Sequence, residues 1–415
     1  MDDAFARCRR VAAGILPVLA LGLFGMVGCG RSQAPVEASL LKPDPVPPFS
    51  AGSDGLAELG ESAWEATGEG APNPNLKPDG PIEVQLNALA RRIESGSLVY
   101  APPVEPDGRI GRARIGWGRL MEALTLAAEQ DARRGDLDAL VLRTDTAVRF
   151  AALLMNGDAL DVVTAAAGLR RLTETLGHHI RGMNEIQLQR VISAVEKSLA
   201  EVPPAQVPLT REAARIRAEL EAARRDCADG GATCLSSRYG TQMISIETLI
   251  TRNPEKRREF WLTVEQRLAG IEATALERAD SPAVVDGASM LNLTDRRSEL
   301  WKRERGGSAE LVRRVSYGFE ACLTEHRDAV GRLRLLGIET TALKQKLSAG
   351  AYPRSLDAFP AALQTDPHTF QPFHYSAGED SMRVWGTGPD GRNDLGPRAD
   401  GSTPDDLAIP RPPGR

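Results

Sequence analysis

The chain has 415 residues, of which 42% are hydrophobic and 26% charged, which argues against a polytopic membrane protein or a wholly disordered one. Its 51 Lys and Arg against 56 Asp and Glu leave a formal net charge of -5. This mildly acidic balance argues against nucleic acid as a partner, because phosphate binding needs a basic field.

Residues 1–28 are predicted to be a signal peptide. Arg7, Arg9 and Arg10 precede an apolar run from Val11 to Val27, which is near the lower length limit for a spanning helix. Basic residues followed by a short apolar segment are typical of secretory signals. The rest of the chain is therefore expected outside the cytoplasm.

The signal ends in Met26-Val27-Gly28-Cys29, which resembles the lipobox of bacterial lipoproteins. The resemblance implies that Cys29 is lipidated and becomes the mature N-terminus, although Met stands where Leu is commoner. It also implies a membrane contact through a lipid anchor in the bacterial cell envelope. Gly30 replaces the aspartate that signals inner-membrane retention, which favours the periplasmic face of the outer membrane. An uncleaved membrane anchor is the alternative.

Residues 29–81 are predicted to be a disordered tether. They contain nine prolines, three basic residues and eight acidic residues. Such a segment is extended and mildly self-repelling, and it reaches on the order of 40 Å. Trp64 either nucleates a short helix within it or is solvated.

A helical body is predicted over residues 82–307, where apolar residues recur at helical spacing. The clearest stripe consists of Leu140, Thr144, Ala147, Val148, Ala151 and Leu154. Helices are expected near 83–95, 117–134, 137–156, 159–176, 185–201, 210–228, 241–251, 254–279, 288–304 and 308–349. The N-caps are expected at Asp136, Asp158, Asn184, Thr210 and Asn253. The predicted fold class is mainly α, an antiparallel helical bundle or helical-hairpin array.

Residues 97–116 lack helical periodicity and are predicted to be a loop wrapping the bundle. The loop carries Arg109, Arg112 and Arg114. It is read as a solvated loop, with a basic patch for anionic lipid or polymer as the alternative.

Residues 308–415 are predicted to form a long helix and a small α+β module. The relevant motifs are Tyr352-Pro353, Ser355-Leu356, Asp366-Pro367, Pro372-Phe373-x-Tyr375, Val384-Trp385, Gly388-Pro389-Asp390-Gly391 and Asp405-Asp406. In this order they resemble the C-terminal domain of the major pseudopilin of type II secretion. The match covers about a quarter of the chain, and the whole layout resembles uncharacterised secreted proteins of planctomycete-type bacteria. Filament assembly is not implied, because the chain opens with a lipoprotein-type signal.

The terminal loop has two interpretations: ordinary tight turns, which its residues favour, and a calcium site, which the resemblance implies. In the pseudopilin family this loop binds calcium, and the matching positions are Asp390 with Asp405 or Asp406. Asp394 adds a carboxylate within a Gly- and Asn-containing segment, and Ca²⁺ takes six to eight oxygen ligands from such loops. Ordinary tight turns also use Asp, Asn and Gly.

The remaining cysteines and histidines point to structure more than to catalysis. Cys227 and Cys234 flank a short loop and are expected to form a disulfide in an oxidising envelope. Cys322 and His326 are four residues apart on one helix face, which favours a cysteine buried in the core with a histidine at the surface, and a Cys–His dyad is the alternative. The sequence has no GxSxG, HExxH or Walker A motif.

The sequence therefore predicts an uncharacterised envelope lipoprotein that is a non-enzymatic interaction or scaffolding protein. Its expected partners are the membrane, through the lipid anchor, and another envelope protein. The alternative function is a periplasmic hydrolase with carboxylates near the junction of the long helix and the tail.

Overall fold

Helices make up most of the chain in the computed structural model, as the apolar spacing predicts. The structure describes residues 54–67, 80, 82–100, 111–229, 234–240, 243–282, 284–285, 288–289, 307–389, 393 and 407–409. In chain order the helices are α1 (Asp54–Thr67), α2 (Glu83–Glu94), α3 (Arg112–Arg134), α4 (Leu137–Leu154), α5 (Ala159–His179), α6 (Glu185–Glu201), α7 (Gln206–Ala228), α8 (Ser236–Tyr239), α9 (Ile244–Arg252), α10 (Pro254–Ala279), α11 (Gly307–Val315) and α12 (Tyr317–Ala349). Across the described residues, none of these helices combines the length and apolar character needed to cross a bilayer.

Two antiparallel strand pairs accompany the helices. The first joins β1 (Val284–Val285) to β2 (Ala288–Ser289), and the second joins β3 (His374–Ala377) to β4 (Met382–Trp385). In the second pair His374 lies opposite Trp385 and Ala377 opposite Met382. The small antiparallel sheet near the C-terminus is therefore confirmed.

Most of the predicted helix starts are confirmed by their hydrogen bonds. Asp136 accepts from the Ala139 amide at 3.0 Å, and Asn184 forms a capping box with Gln187. The Thr210 prediction is wrong, because α7 begins four residues earlier. Pro208 lies in the first turn of α7 and does not prevent this early start. Proline lacks an N–H, and the N–H groups of a first turn have no intrahelical acceptor.

Helix α1 corrects the prediction of a tether running continuously from residue 29 to 81. Leu56, Leu59 and Ala63 lie on one face of α1 and are buried against α3. The Arg112 guanidinium stacks 4.3 Å from the centroid of the Trp64 ring. The prediction missed the short apolar stripe of α1, which contains no proline, because the high Pro, Gly and acid content of residues 29–81 as a whole indicated disorder.

Three further boundaries differ from the prediction. Helix α3 begins at Arg112, so the end of the predicted loop 97–116 is helical, while residues 101–110 lie outside the described part. Residues 288–289 belong to a strand, although a helix is predicted over 288–304. The long helix predicted over 308–349 is divided at Ser316 into α11 and α12.

Helix α12 joins the two hydrophobic cores. Phe319 and Leu323, near its start, pack in a core with residues of α7, α10 and α11. From Ala329 onward, α12 belongs to a core that also includes residues of α1–α6 and of the segment 351–409, which we call the C-terminal module. Leu407, in the last described segment, pairs with Gly386 through two backbone hydrogen bonds and is buried.

Candidate functional site

Of the predicted site residues, only Cys227 and Cys234 belong to the part of the chain that the structure describes. The others lie outside it, namely Cys29, Asp390, Asp394, Asp405 and Asp406. The lipidation and calcium predictions therefore stay predictions.

Cys227 and Cys234 form a disulfide that joins the end of α7 to the turn before α8, with their Cα atoms 5.1 Å apart. Both residues are buried in the core that also contains Phe319. The disulfide therefore braces the segment from which Tyr239 extends.

Cys322 is buried on α12 as predicted, but the prediction of a surface histidine is wrong, because His326 is buried as well. Burial, and then the charges of Glu212, Asp158 and Asp161, raise the pKa of the Cys322 thiol, so it stays protonated. The His326 Nε2 lies 3.0 Å from the carbonyl oxygen of Pro203. A protonated thiol beside a histidine engaged elsewhere is not an activated nucleophile.

The titration of His326 gives a pH prediction. Burial lowers its pKa to about 4, below roughly 6.5 for an exposed histidine. As the pH falls, His326 is therefore protonated in the unfolded chain before it is protonated in the folded chain. The folded state accordingly loses stability between about pH 6.5 and pH 4. Between pH 7 and pH 5 this amounts to about 2 kcal/mol.

Urea unfolding of the wild type and of His326→Gln at these two pH values measures the effect. Glutamine keeps a donor for the Pro203 carbonyl, so its free energy of unfolding should depend less on pH by that amount. The exposed His178→Gln variant is the control and should follow the wild type. Parallel pH profiles for wild type and His326→Gln would contradict the prediction.

The junction of α12 and the C-terminal module contains a buried carboxylate–histidine pair. His368 Nε2 lies 2.8 Å from Asp328 Oδ1, and the His368 side chain is fully buried. Burial acts to raise the pKa of Asp328, but the bond to His368, with Arg332 and Arg170, lowers it overall. Arg170 Nη2 lies 3.3 Å from both Asp328 Oδ2 and Glu325 Oε2.

Asp366 supports this pair from the module side. Its Oδ1 accepts from the His368 amide at 2.8 Å, and its Oδ2 accepts from the Thr387 amide at 2.9 Å and hydroxyl at 3.1 Å. These are the carboxylates that the hydrolase alternative places near the junction. Because His368 is enclosed and engaged with Asp328, this geometry locks the module in place more readily than it reaches a substrate.

A second charged cluster lies where α5 meets α7. Arg215 donates to Glu212 Oε1 at 2.7 Å and to Glu219 Oε2 at 3.1 Å, and it lies 3.9 Å from Asp158. Glu212 is fully buried and also accepts from the Ala159 amide at the start of α5. Negative charge is favoured there by the helix dipole.

The same charged cluster includes Arg114, one of the arginines that the sequence placed in the predicted loop. Arg114 forms a 2.6 Å ion pair with Asp158 and is largely buried. Tyr100 donates to Asp161 Oδ2 at 2.6 Å, and the Arg211 guanidinium lies 4.8 Å from the Tyr100 ring centroid. Reading Arg112 and Arg114 as an exposed basic patch is therefore wrong, since Arg112 stacks on Trp64 and Arg114 is paired. Arg109 lies outside the described residues.

A cavity of about 300 Å³ opens beside this cluster. Its polar lining includes Glu212, Arg215, Glu219, Tyr239 and Arg314. The charged cluster leaves one signal in the sequence, which is the spacing of Glu212, Arg215 and Glu219 along one face of α7. The residues that this cluster meets on α3, α5 and α11 were not predictable, because they are distant in the chain.

The described residues include no group of three or more His, Cys, Asp or Glu side chains placed to hold a metal ion. No protein-family model matches the chain, and comparisons with curated proteins and with solved structures find no similar protein. The function proposed below therefore rests on the residues of this chain.

Proposed function

We propose that the chain is a bacterial cell-envelope lipoprotein, anchored through Cys29, whose helical body is a non-enzymatic scaffold presenting the C-terminal module to a protein partner. The observation that carries the proposal is the sharing of α12 between body and module. Its two ends belong to different hydrophobic cores, and its later turns contact both α5–α6 and β4. A continuous helix buried in both parts fixes the module on the body.

Polar contacts at this joint support a fixed orientation. Arg334 Nη1 donates to the Thr365 carbonyl at 2.7 Å, in addition to the Asp328–His368 bond. On α12, Gly331 leaves space that Leu407 fills, since a Cβ at that position would overlap the Leu407 side chain. Close packing and satisfied hydrogen bonds resist rotation, which suits a surface that is presented to a partner.

A photo-crosslinking amino acid tests presentation by the module in the cells of origin. Ser376 is exposed on β3, and Glu259 is exposed on α10, so the two positions report on the module and on the body. We expect a discrete protein adduct from Ser376 and none from Glu259. Equal labelling at both positions, or no adduct at Ser376, would contradict the proposal.

The anchor is tested in the same cells by metabolic acyl labelling and membrane fractionation. Wild-type chain should carry the label and sediment with membranes, whereas Cys29→Ala should lose both properties. Label retained by Cys29→Ala would place the acyl group on another residue and overturn the anchor.

We also propose that the module is pseudopilin-like and that its terminal loop binds calcium. Tyr375 Oη donates to the Pro353 carbonyl at 2.7 Å, so two of the resembling motifs lie in contact. The Gly386–Leu407 pair holds together the two ends of the segment that carries Asp390 and Asp406. A closed loop base reduces the chain entropy lost when carboxylates gather around an ion.

Thermal unfolding of the full chain with calcium or with a chelator tests the loop. Calcium should raise the melting temperature of the wild type by several degrees, because a ligand that binds only the folded state stabilises it. Asp405→Asn/Asp406→Asn should abolish the shift, whereas Asp380→Asn, on the exposed β3–β4 turn, should keep it. The absence of any calcium-dependent shift in the wild type would sink the proposal.

A further inference from the structure

The cavity beside the α5–α7 cluster has a size and lining that suit a small ligand, and this inference does not depend on the envelope function. A volume of about 300 Å³ is at the lower end of the range for small-molecule sites. Its walls come from α5, α7, α8, α11 and the first turns of α12. Rigid elements on several sides give the cavity a defined shape.

One polar side chain in the lining lacks a well-formed hydrogen bond. Tyr239 is 7% exposed, and its hydroxyl makes no hydrogen bond of normal geometry among the described residues, although the Glu219 carboxylate is close enough to influence it. Burial first, and then the nearby Glu219 carboxylate, raise the pKa of Tyr239, so the hydroxyl keeps its proton. A buried hydroxyl normally has a partner, and a ligand group in the cavity would supply one.

The charged side chains of the lining lie on two helices, which form two of its walls, Glu212, Arg215 and Glu219 on α7 and Arg314 on α11. On the α7 wall Glu219 is bonded to Arg215 through one oxygen and is partly exposed, with 23% of its side chain accessible. On the α11 wall Arg314 is bonded to Glu310 at 3.0 Å and to the Tyr239 carbonyl at 2.5 Å, and 30% of its side chain is accessible. The lining contains two carboxylates and two guanidinium groups, so neither sign dominates.

This balance favours ligands that carry both charges over ligands that carry one. A ligand with only an ammonium group can pair with Glu219 but not with Arg314, and a ligand with only a carboxylate can pair with Arg314 but not with Glu219. A ligand carrying both charges satisfies both walls. Leu160 and Val163 on α5, with Val315 on α11, provide apolar surface for the remainder of such a molecule.

We propose that this cavity binds a small aliphatic zwitterion of the α-amino acid class, with its ammonium group at Glu219 and Tyr239, its carboxylate towards Arg314, and its side chain against Leu160 and Val163. The Tyr239 hydroxyl supplies the hydrogen bond that orients the ammonium end. The alkyl side chain covers the two α5 residues, which are 36% and 38% exposed.

Calorimetric titration of the purified full-length chain with leucine tests the site. The matched probes are 3-methylbutylamine and 4-methylpentanoate, which each keep the alkyl group and one of the two charges. Leucine should bind at least tenfold more tightly than either. Equal binding of all three probes, or no binding of leucine at millimolar concentration, would overturn the proposal.

Two variants locate the ligand in the cavity. Glu219→Gln should weaken leucine binding about tenfold, because a charge-assisted hydrogen bond becomes a neutral one. The same change should strengthen 4-methylpentanoate binding, since the repelling carboxylate is gone. Glu221→Gln, exposed on the same helix, is the matched control and should leave both affinities unchanged. Unchanged leucine affinity in Glu219→Gln would contradict the assignment.

Tyr239→Phe separates a ligand role from a structural one. Because the hydroxyl makes no hydrogen bond of normal geometry in the described part of the fold, its removal should not lower the melting temperature of the free protein. It should nevertheless weaken leucine binding several-fold. A lower melting temperature with unchanged leucine affinity would show that the hydroxyl serves the fold and would overturn this part of the proposal.

Discussion

Replacing Asp366 with alanine is expected to loosen the C-terminal module and, through His368, to weaken its joint with α12, at a cost of about 3 kcal/mol in the free energy of unfolding. Asp366 is 1% exposed, and its two oxygens accept three hydrogen bonds from His368 and Thr387. Alanine leaves two backbone amides and one hydroxyl without their acceptor. Removing one partner from a buried network costs more than the average hydrogen bond, since the remaining groups stay desolvated.

Amide hydrogen exchange shows which part of the structure loses stability in Asp366→Ala. Amides of β3 and β4 should exchange faster in Asp366→Ala, while those of α4, far from the joint, should keep their protection. Asp357→Ala is the matched control, because Asp357 is an exposed aspartate of the same module. It should change stability by less than about 0.5 kcal/mol. Faster exchange spread evenly over the whole chain would mean that Asp366 does not act at the joint.

The prediction from sequence succeeded where the interactions are local. The stripe ending at Leu154 and the caps at Asp136 and Asn184 depend on residues within a few positions of one another, so periodicity and capping rules detect them. The pairing of β3 with β4 is similarly local. These features account for the mainly helical fold and for the small sheet.

Prediction failed where a side chain finds its partner far along the chain. Arg114 was assigned to a basic loop, but it pairs with Asp158, and nothing near either residue indicates that pairing. His368 likewise bonds to Asp328 across 40 positions of the chain, so its partner could not be identified from the sequence. Charge patterns in sequence show which groups exist, whereas tertiary packing decides which of them are neutralised.

The docking of α1 was also not predicted, and its basis is a close contact between two glycines. Gly60 of α1 faces Gly116 of α3, and a Cβ at Gly116 would overlap the Gly60 carbonyl. This approach lets Trp117 Nε1 donate to the Leu56 carbonyl at 2.8 Å. Helix α1 therefore belongs to the folded part of the chain, and residues 54–67 are not part of the predicted tether.

Gly116→Val is therefore expected to displace α1 and to cost about 3 kcal/mol. Overpacking against a side chain is partly relieved by rotamer changes, but here the obstacle is backbone, which cannot move without separating the helices. Amides of residues 54–67 should lose protection from hydrogen exchange. Fluorescence of Trp117, which is 1% exposed in the docked state, should shift towards that of a solvated indole.

Gly118→Ala provides the matched control two residues away on the same helix. A Cβ at Gly118 meets no atom within 4 Å, so alanine there gains helix propensity without a clash. It should stabilise the protein by up to about 1 kcal/mol. Opposite signs for the two substitutions would separate the glycine contact from a general effect of glycine within α3. If both variants were stabilised, the docking of α1 would not depend on the contact between Gly116 and Gly60.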